Sequence, residues 1–102
     1  MNGMARKPLQ PNEAAEIVGI KALQFLAGDP ALLGRFLAET GLGPDSLRQA
    51  AKNPQFLGSV LDFVLDQKPT AEAFAQAVEL DIKSIAIARY ALAGPDWERD
   101  DP

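Results

Sequence analysis

A chain of 102 residues that is 47% hydrophobic and carries a formal charge of −4 is one domain, with apolar material to bury about two thirds of its unfolded surface. It has no cysteine and no histidine, which excludes disulfides, Ser-His-Asp and Cys-His catalysis, ordinary zinc sites, and haem or iron–sulfur ligation by those residues. No run of about 20 apolar residues exists to cross a membrane. Residues 1–11, basic at Arg6 and Lys7, lack the apolar run of a signal peptide, so the expected compartment is the cytoplasm.

In chain order, residues 1–11 hold Gly3, Pro8 and Pro11 with few apolar groups and read as a flexible arm. A single helical domain is expected over 12–94, followed by an acidic tail over 95–102. Asn12 is placed to cap a first helix, with Glu13 and Glu16 in its first turn. The apolar residues of that helix, from Ala14 to Ala27, run most of the way round, with Lys21 and Gln24 as the polar strip. Such a helix is mostly buried or meets a partner on one side. Gly28-Asp29-Pro30 reads as a stop, an N-cap and a first helical residue. Leu32, Leu33, Phe36 and Leu37 then form the stripe of a second helix, in which Gly34 is expected to admit another helix closely.

Thr40-Gly41-Leu42-Gly43-Pro44 ends the second helix. A short third helix follows with Leu47, Ala50 and Ala51 inward. Asn53-Pro54 caps and opens the central helix, whose Phe56, Leu57, Val60, Leu61, Val64 and Leu65 make a broad stripe that Phe63 widens further. Lys68-Pro69 is expected to break it and Thr70 to cap a fifth helix with Ala71, Phe74, Ala75 and Val78 inward. Glu79-Leu80-Asp81 is a tight turn, with Asp81 as the cap of a sixth helix from Ile82 to about Ala93. Gly94-Pro95 terminates it. No stretch alternates with the period of a strand, so the fold class is all-α, a compact bundle of five to six short helices.

Several of these segments agree, in order, with a known family. They are Asp29-Pro30, Leu33-Gly34-Arg35-Phe36-Leu37, Thr40-Gly41-Leu42-Gly43-Pro44-Asp45, Leu47-Arg48, Phe56-Leu57, Val60-Leu61-Asp62-Phe63, Phe74-Ala75, Leu80-Asp81, Ile85, Ala88-Arg89 and Leu92. Across residues 13–94 the chain resembles a family of small bacterial all-helical proteins catalogued only as a domain of unknown function. The resemblance implies a short helical bacterial protein. It brings no activity, cofactor or catalytic residue.

The residues themselves offer few reactive groups. No phosphate loop of Walker or Rossmann spacing occurs, and Gly41-Leu42-Gly43 reads as a helix stop. Asp62 and Asp66, one turn apart, could share a cation or work as an acid/base pair, but a solvated helix face is their ordinary use. No catalytic residue, cofactor, metal or small-molecule ligand is implied. Phe74, Ala75, Val78, Leu80, Ile85 and Ala88 have the offsets of a DNA-binding helix-turn-helix, so the last two helices are expected to be arranged that way. Lys83, Ser84 and Arg89 would then meet the nucleic acid. The charge opposes this use: residues 1–52 have six basic and five acidic groups, and residues 53–102 have four basic and nine acidic. Leu42, Ile87, Tyr90 and Trp97 stand off the core stripes and are the candidate protein interface. The expected function is a non-enzymatic domain that binds another protein or itself, as a homodimer for example. A small regulatory DNA-binding protein using residues 70–93 is the alternative.

Overall fold

A computed structural model describes the backbone of residues 11–92 and the side chains from Glu13 onward. Six α-helices and one 3-10 turn make up these residues, with no strand among them: α1 (Pro11–Ala27), α2 (Pro30–Thr40), the 3-10 turn (Pro44–Ser46), α3 (Leu47–Ala50), α4 (Pro54–Asp66), α5 (Lys68–Val78) and α6 (Ile82–Leu92). The fold is an all-α bundle. The expected arm at 1–11 and acidic tail at 95–102 fall, but for Pro11, outside the described residues.

The capping chemistry sets most boundaries. The Leu32 N–H donates to Asp29 Oδ1 at 3.3 Å, the Gln55 N–H to Asn53 Oδ1 at 2.9 Å, and the Ser84 N–H to Asp81 Oδ1 at 3.1 Å. Each carboxylate or amide satisfies a donor that the first turn leaves open. Gly41 stops α2 in the left-handed region at φ 76°. Two expected caps are corrected. Helix α1 already begins at Pro11, so Asn12 lies in its first turn. Helix α5 begins at Lys68 with Pro69 in its first turn, so Thr70 is inside the helix and Gln67 is the flanking residue. A proline is harmless there because the N–H it lacks has no intrahelical acceptor.

Helices α1, α4 and α6 pack mutually at the centre, while α5 closes against α4 and α2 lies against α1. Leu57, Gly58, Val60, Leu61 and Val64 of α4 are buried. Phe56, Phe63 and Leu65 are only half-buried, so the buried stripe is narrower than the sequence pattern suggests. Ala15, Ala22 and Leu26 of α1 and Ile85, Ala88 and Leu92 of α6 complete the centre. Aromatic edges tie on the outer helices. The Phe36 ring of α2 meets Phe56 at 5.7 Å and Phe63 at 5.3 Å, and Phe25 of α1 meets Phe74 of α5 at 5.4 Å, all edge-on. Such pairs add about 0.5–1.5 kcal/mol each beyond their burial. The Arg35 guanidinium lies over Phe63 at 5.5 Å and covers that ring's outer face.

The close approaches occur at Gly19 and Gly58 and not at Gly34. A Cβ on Gly19 would stand 2.8 Å from Leu57 Cβ, and one on Gly58 would stand 3.3 Å from Leu92 Cβ. Around Gly34 nothing lies within 4 Å, so the helix contact expected there is absent.

Opposite outcomes follow for two identical substitutions. Gly19→Ala forces α1 off α4 and should destabilise by about 1–3 kcal/mol, the range for overpacking. Gly34→Ala, on an exposed helix with free space, should stabilise by about 0.5–1 kcal/mol. Urea denaturation of the two variants beside the parent chain measures both.

Candidate functional site: the outer face of α1 and α6

Helices α5 and α6 are joined by the three-residue turn Glu79–Asp81. Glu79 adopts the left-handed conformation, φ 59° and ψ 41°, and is the one non-glycine residue at positive φ among the described residues. The Leu80 N–H returns to the Ala75 carbonyl at 3.0 Å, which closes the end of α5. The turn position that often takes glycine thus has the backbone conformation of glycine while carrying a glutamate. Asp81 then starts α6. Hydrogen bonds from Ser84, first from its hydroxyl and then from its backbone N–H, hold the Asp81 carboxyl below the ordinary carboxylate value.

The three residues proposed from the sequence to meet nucleic acid fare differently. Lys83 and Ser84 are exposed. Arg89 is bound through Nε to Asp62 Oδ1 of α4. Both side chains are about half exposed, so the pair is a solvent-screened tie between α4 and α6, of the order of 0–1 kcal/mol. It does neutralise the guanidinium that a phosphate would need.

The four residues proposed as a protein interface are also divided. Ile87 is 63% exposed and Tyr90 is 57% exposed. They are three residues apart on one helix, so their side chains are neighbours on the surface. Leu42 is half-buried beside the α2 stop, where its N–H donates to Thr40 Oγ1 at 3.4 Å. Trp97 lies outside the described residues.

Beside Ile87 runs a feature that the sequence did not disclose. A groove of about 260 Å³ follows the seam of α1 and α6, lined by Ala14, Ala15 and Val18 on one wall and Ser84, Ile87, Ala88 and Ala91 on the other. Its walls carry no charge, and Ser84 supplies the one polar side chain. The available signal was the alanine content of both helices, but only their pairing turns small residues into a trough. Ile17 and Ile20 of α1 are also exposed, at 46% and 40%.

Asp62 and Asp66 do share a concavity. With Glu39 of α2 they line an open hollow of about 330 Å³ whose other walls are Phe36, Thr40, Ser59 and Phe63. All three carboxylates are exposed to water, and Asp62 is taken by Arg89. Among the described residues no group of three or more Asp, Glu, His or Cys side chains is disposed to hold a metal ion. No single helix there is long and apolar enough to cross a membrane. Helices α1 and α2 would pass together, but they are bent by 115° and bury Ala22, Leu26 and Phe36 inside the bundle.

The chain matches the family model described as Protein of unknown function (DUF3572) over residues 12–95. The chain belongs to this family. Searches of curated proteins and of solved structures found no match. Membership agrees with the resemblance read from the sequence and, like it, names no activity for the DUF3572 chain.

The Asp81 cap gives a pH dependence with a definite sign. Its folded carboxyl titrates below the ordinary value of 3.8 that it regains on unfolding. The cap's contribution is therefore complete above that value and is lost as pH falls through the lower, folded one. Asp81→Asn keeps an oxygen acceptor but removes the titration. Relative to this variant, the parent chain should lose stability as pH drops below 3.8. Asp81→Ala should be less stable than both at neutral pH. Urea midpoints across the acid range provide the measurement.

Proposed function

We propose that this DUF3572 chain is a non-enzymatic interaction domain of the bacterial cytoplasm, whose α1/α6 face docks on another protein or on a second copy of itself. The observation that carries the proposal is Ile87, 63% exposed at the lip of an uncharged groove and adjacent to Tyr90. Single exposed apolar side chains are ordinary on any protein surface. Contiguity is what matters here: an isoleucine, a tyrosine and an alanine-lined trough form one patch without a charged wall, and the centres of protein interfaces are likewise poor in charge and rich in tyrosine. The resemblance read from the sequence supports the bacterial origin, and without cysteine the chain needs no oxidising compartment to close a disulfide.

A second proposal, DNA binding through α5 and α6, is favoured by the left-handed turn at Glu79 and by the exposure of Lys83 and Ser84. It is opposed by the Arg89–Asp62 pair and by the net charge of −4. A mobility shift on mixed duplex DNA at low salt, weakened by Lys83→Ala, would favour it over protein docking.

The docking proposal is tested by sedimentation over a wide concentration range with Ile87→Asp as the comparison. If the partner is a second copy, the parent chain should associate and the variant should do so about 10- to 100-fold more weakly, from the ~1.5–3 kcal/mol that burying an isoleucine contributes. If the parent is monomeric throughout, the partner is a different protein. It should then be captured from cell extract by the parent chain and lost with Ile87→Asp, at unchanged helical circular dichroism. Capture that ignores the substitution overturns the assignment to this face.

A further inference from the structure

We infer that the partner this face takes is a second copy of the chain, joined about a two-fold axis so that α6 of each copy lies in the trough of the other with Ile87 inserted. The inference rests on the docking proposal above and names its occupant. The first observation is that the face carries both halves of one contact. A two-fold interface joins a patch to its own image, so the patch must hold a projection and a matching recess. Ile87 projects, 63% exposed, from the wall that it shares with Ser84, Ala88 and Ala91, and the recess beside it crosses to Ala14 and Val18 of α1. The α1 side carries an isoleucine as well. Ile17, 46% exposed, stands three residues from Ala14 and so neighbours it on the helix surface. An incoming helix would run between two isoleucines above the buried Ala15 and Ala88, as a ridge enters a groove. A two-fold rotation that sets the second copy's α6 there sets the first copy's α6 in the second trough, so one contact fills both recesses.

The second observation is size. At about 260 Å³ the trough is smaller than the ~300–1,000 Å³ of ordinary small-molecule sites, which favours a row of side chains over a compact ligand. Helix α6 spans about 16 Å and α1 about 25 Å, and two helices side by side are about 20 Å across. Two such faces in contact remove roughly 800 Å² in plan, and more once the ridges enter the troughs, which is the scale of weak, reversible association. The third observation is charge. The chain carries −4, so two copies repel one another wherever their acids meet. The hollow at Glu39, Asp62 and Asp66 would meet its own image acid to acid. The trough has no charged wall, and the exposed charges that border it balance, with Glu13 and Lys21 on α1 and Asp81 and Lys83 on α6. A second copy of an acidic chain meets least repulsion across this neutral face.

Sedimentation equilibrium of the full chain and two variants tests reciprocal insertion. Ile87→Lys removes the projection and leaves the recess. Ala14→Glu blocks the recess and leaves the projection, at an exposed position near the start of α1 where a carboxylate suits the helix dipole. The parent chain should be monomeric near ~10 µM and partly dimeric by ~1 mM. Each variant alone should associate at least about tenfold more weakly, at unchanged helical circular dichroism. An equimolar mixture of the two variants should recover association as a heterodimer. In that pair the remaining Ile87 enters the open trough, and the introduced lysine meets the introduced glutamate in the other. A parent chain that stays monomeric to ~1 mM overturns the inference and leaves the docking proposal to a different protein. Association that ignores both variants overturns it too, because the dimer then forms through another surface. Association that both variants weaken and the mixture does not recover makes this face an interface without reciprocal insertion, so the inference falls while the docking proposal stands.

Discussion

The bundle depends on two places where backbones come almost into contact. Gly19 lets α1 lie against Leu57 of α4, and Gly58 lets α4 lie against Leu92 of α6. Without a Cβ at these crossings the three central helices approach one another directly, and residues as small as Ala15, Ala22 and Ala88 are buried between them. The larger side chains, Leu26, Leu57, Leu61, Phe36, Phe74 and Ile85, then fill the spaces beside the crossings. A larger residue at either glycine would separate helices whose contact the rest of the core assumes.

This construction leaves the interior without polar side chains. Among the described residues every buried side chain is apolar, and no buried side-chain nitrogen or oxygen lacks a partner. The charged residues stand at the surface, where water screens them, and the Asp62–Arg89 pair is half exposed. Differences in chemistry between one face and another therefore lie outside the core: the acid-lined hollow at Glu39, Asp62 and Asp66, and the uncharged trough of α1 and α6.

The all-α fold and the helix order were legible in the sequence because their causes are local. Asp29, Asn53 and Asp81 cap helices through atoms within three residues, and Gly41 supplies a left-handed stop that its own lack of a side chain permits. Where local signals competed, the pattern misled. Thr70 looks like a cap, but the chain had already turned helical at Lys68 because proline fits the first turn. The glycine contacts were illegible because a glycine's use depends on what stands opposite. Gly34 and Gly19 look alike in sequence, yet only Gly19 faces another helix. The exposure of Ile87 and Tyr90 could be read from the helical period. The groove beside them could not, since half of its wall belongs to a helix some seventy residues earlier.

The groove and the glycine crossings have a common origin in residue size. Small residues on the core side of α1 and α6 bring the helices together, and small residues one step further round, Ala14 and Ala91, are too short to fill the angle between two cylinders. A pair of leucines there would have closed the seam and covered Ala15 and Ala88. The seam is instead left open next to Ile87, a side chain large enough to have covered it but turned outward by its place on the helix. Burying the trough would remove apolar surface from water at little expense in polar desolvation, because Ser84 is its one polar side chain. The thermodynamic drive at this face thus favours a largely apolar cover, whichever chain supplies it.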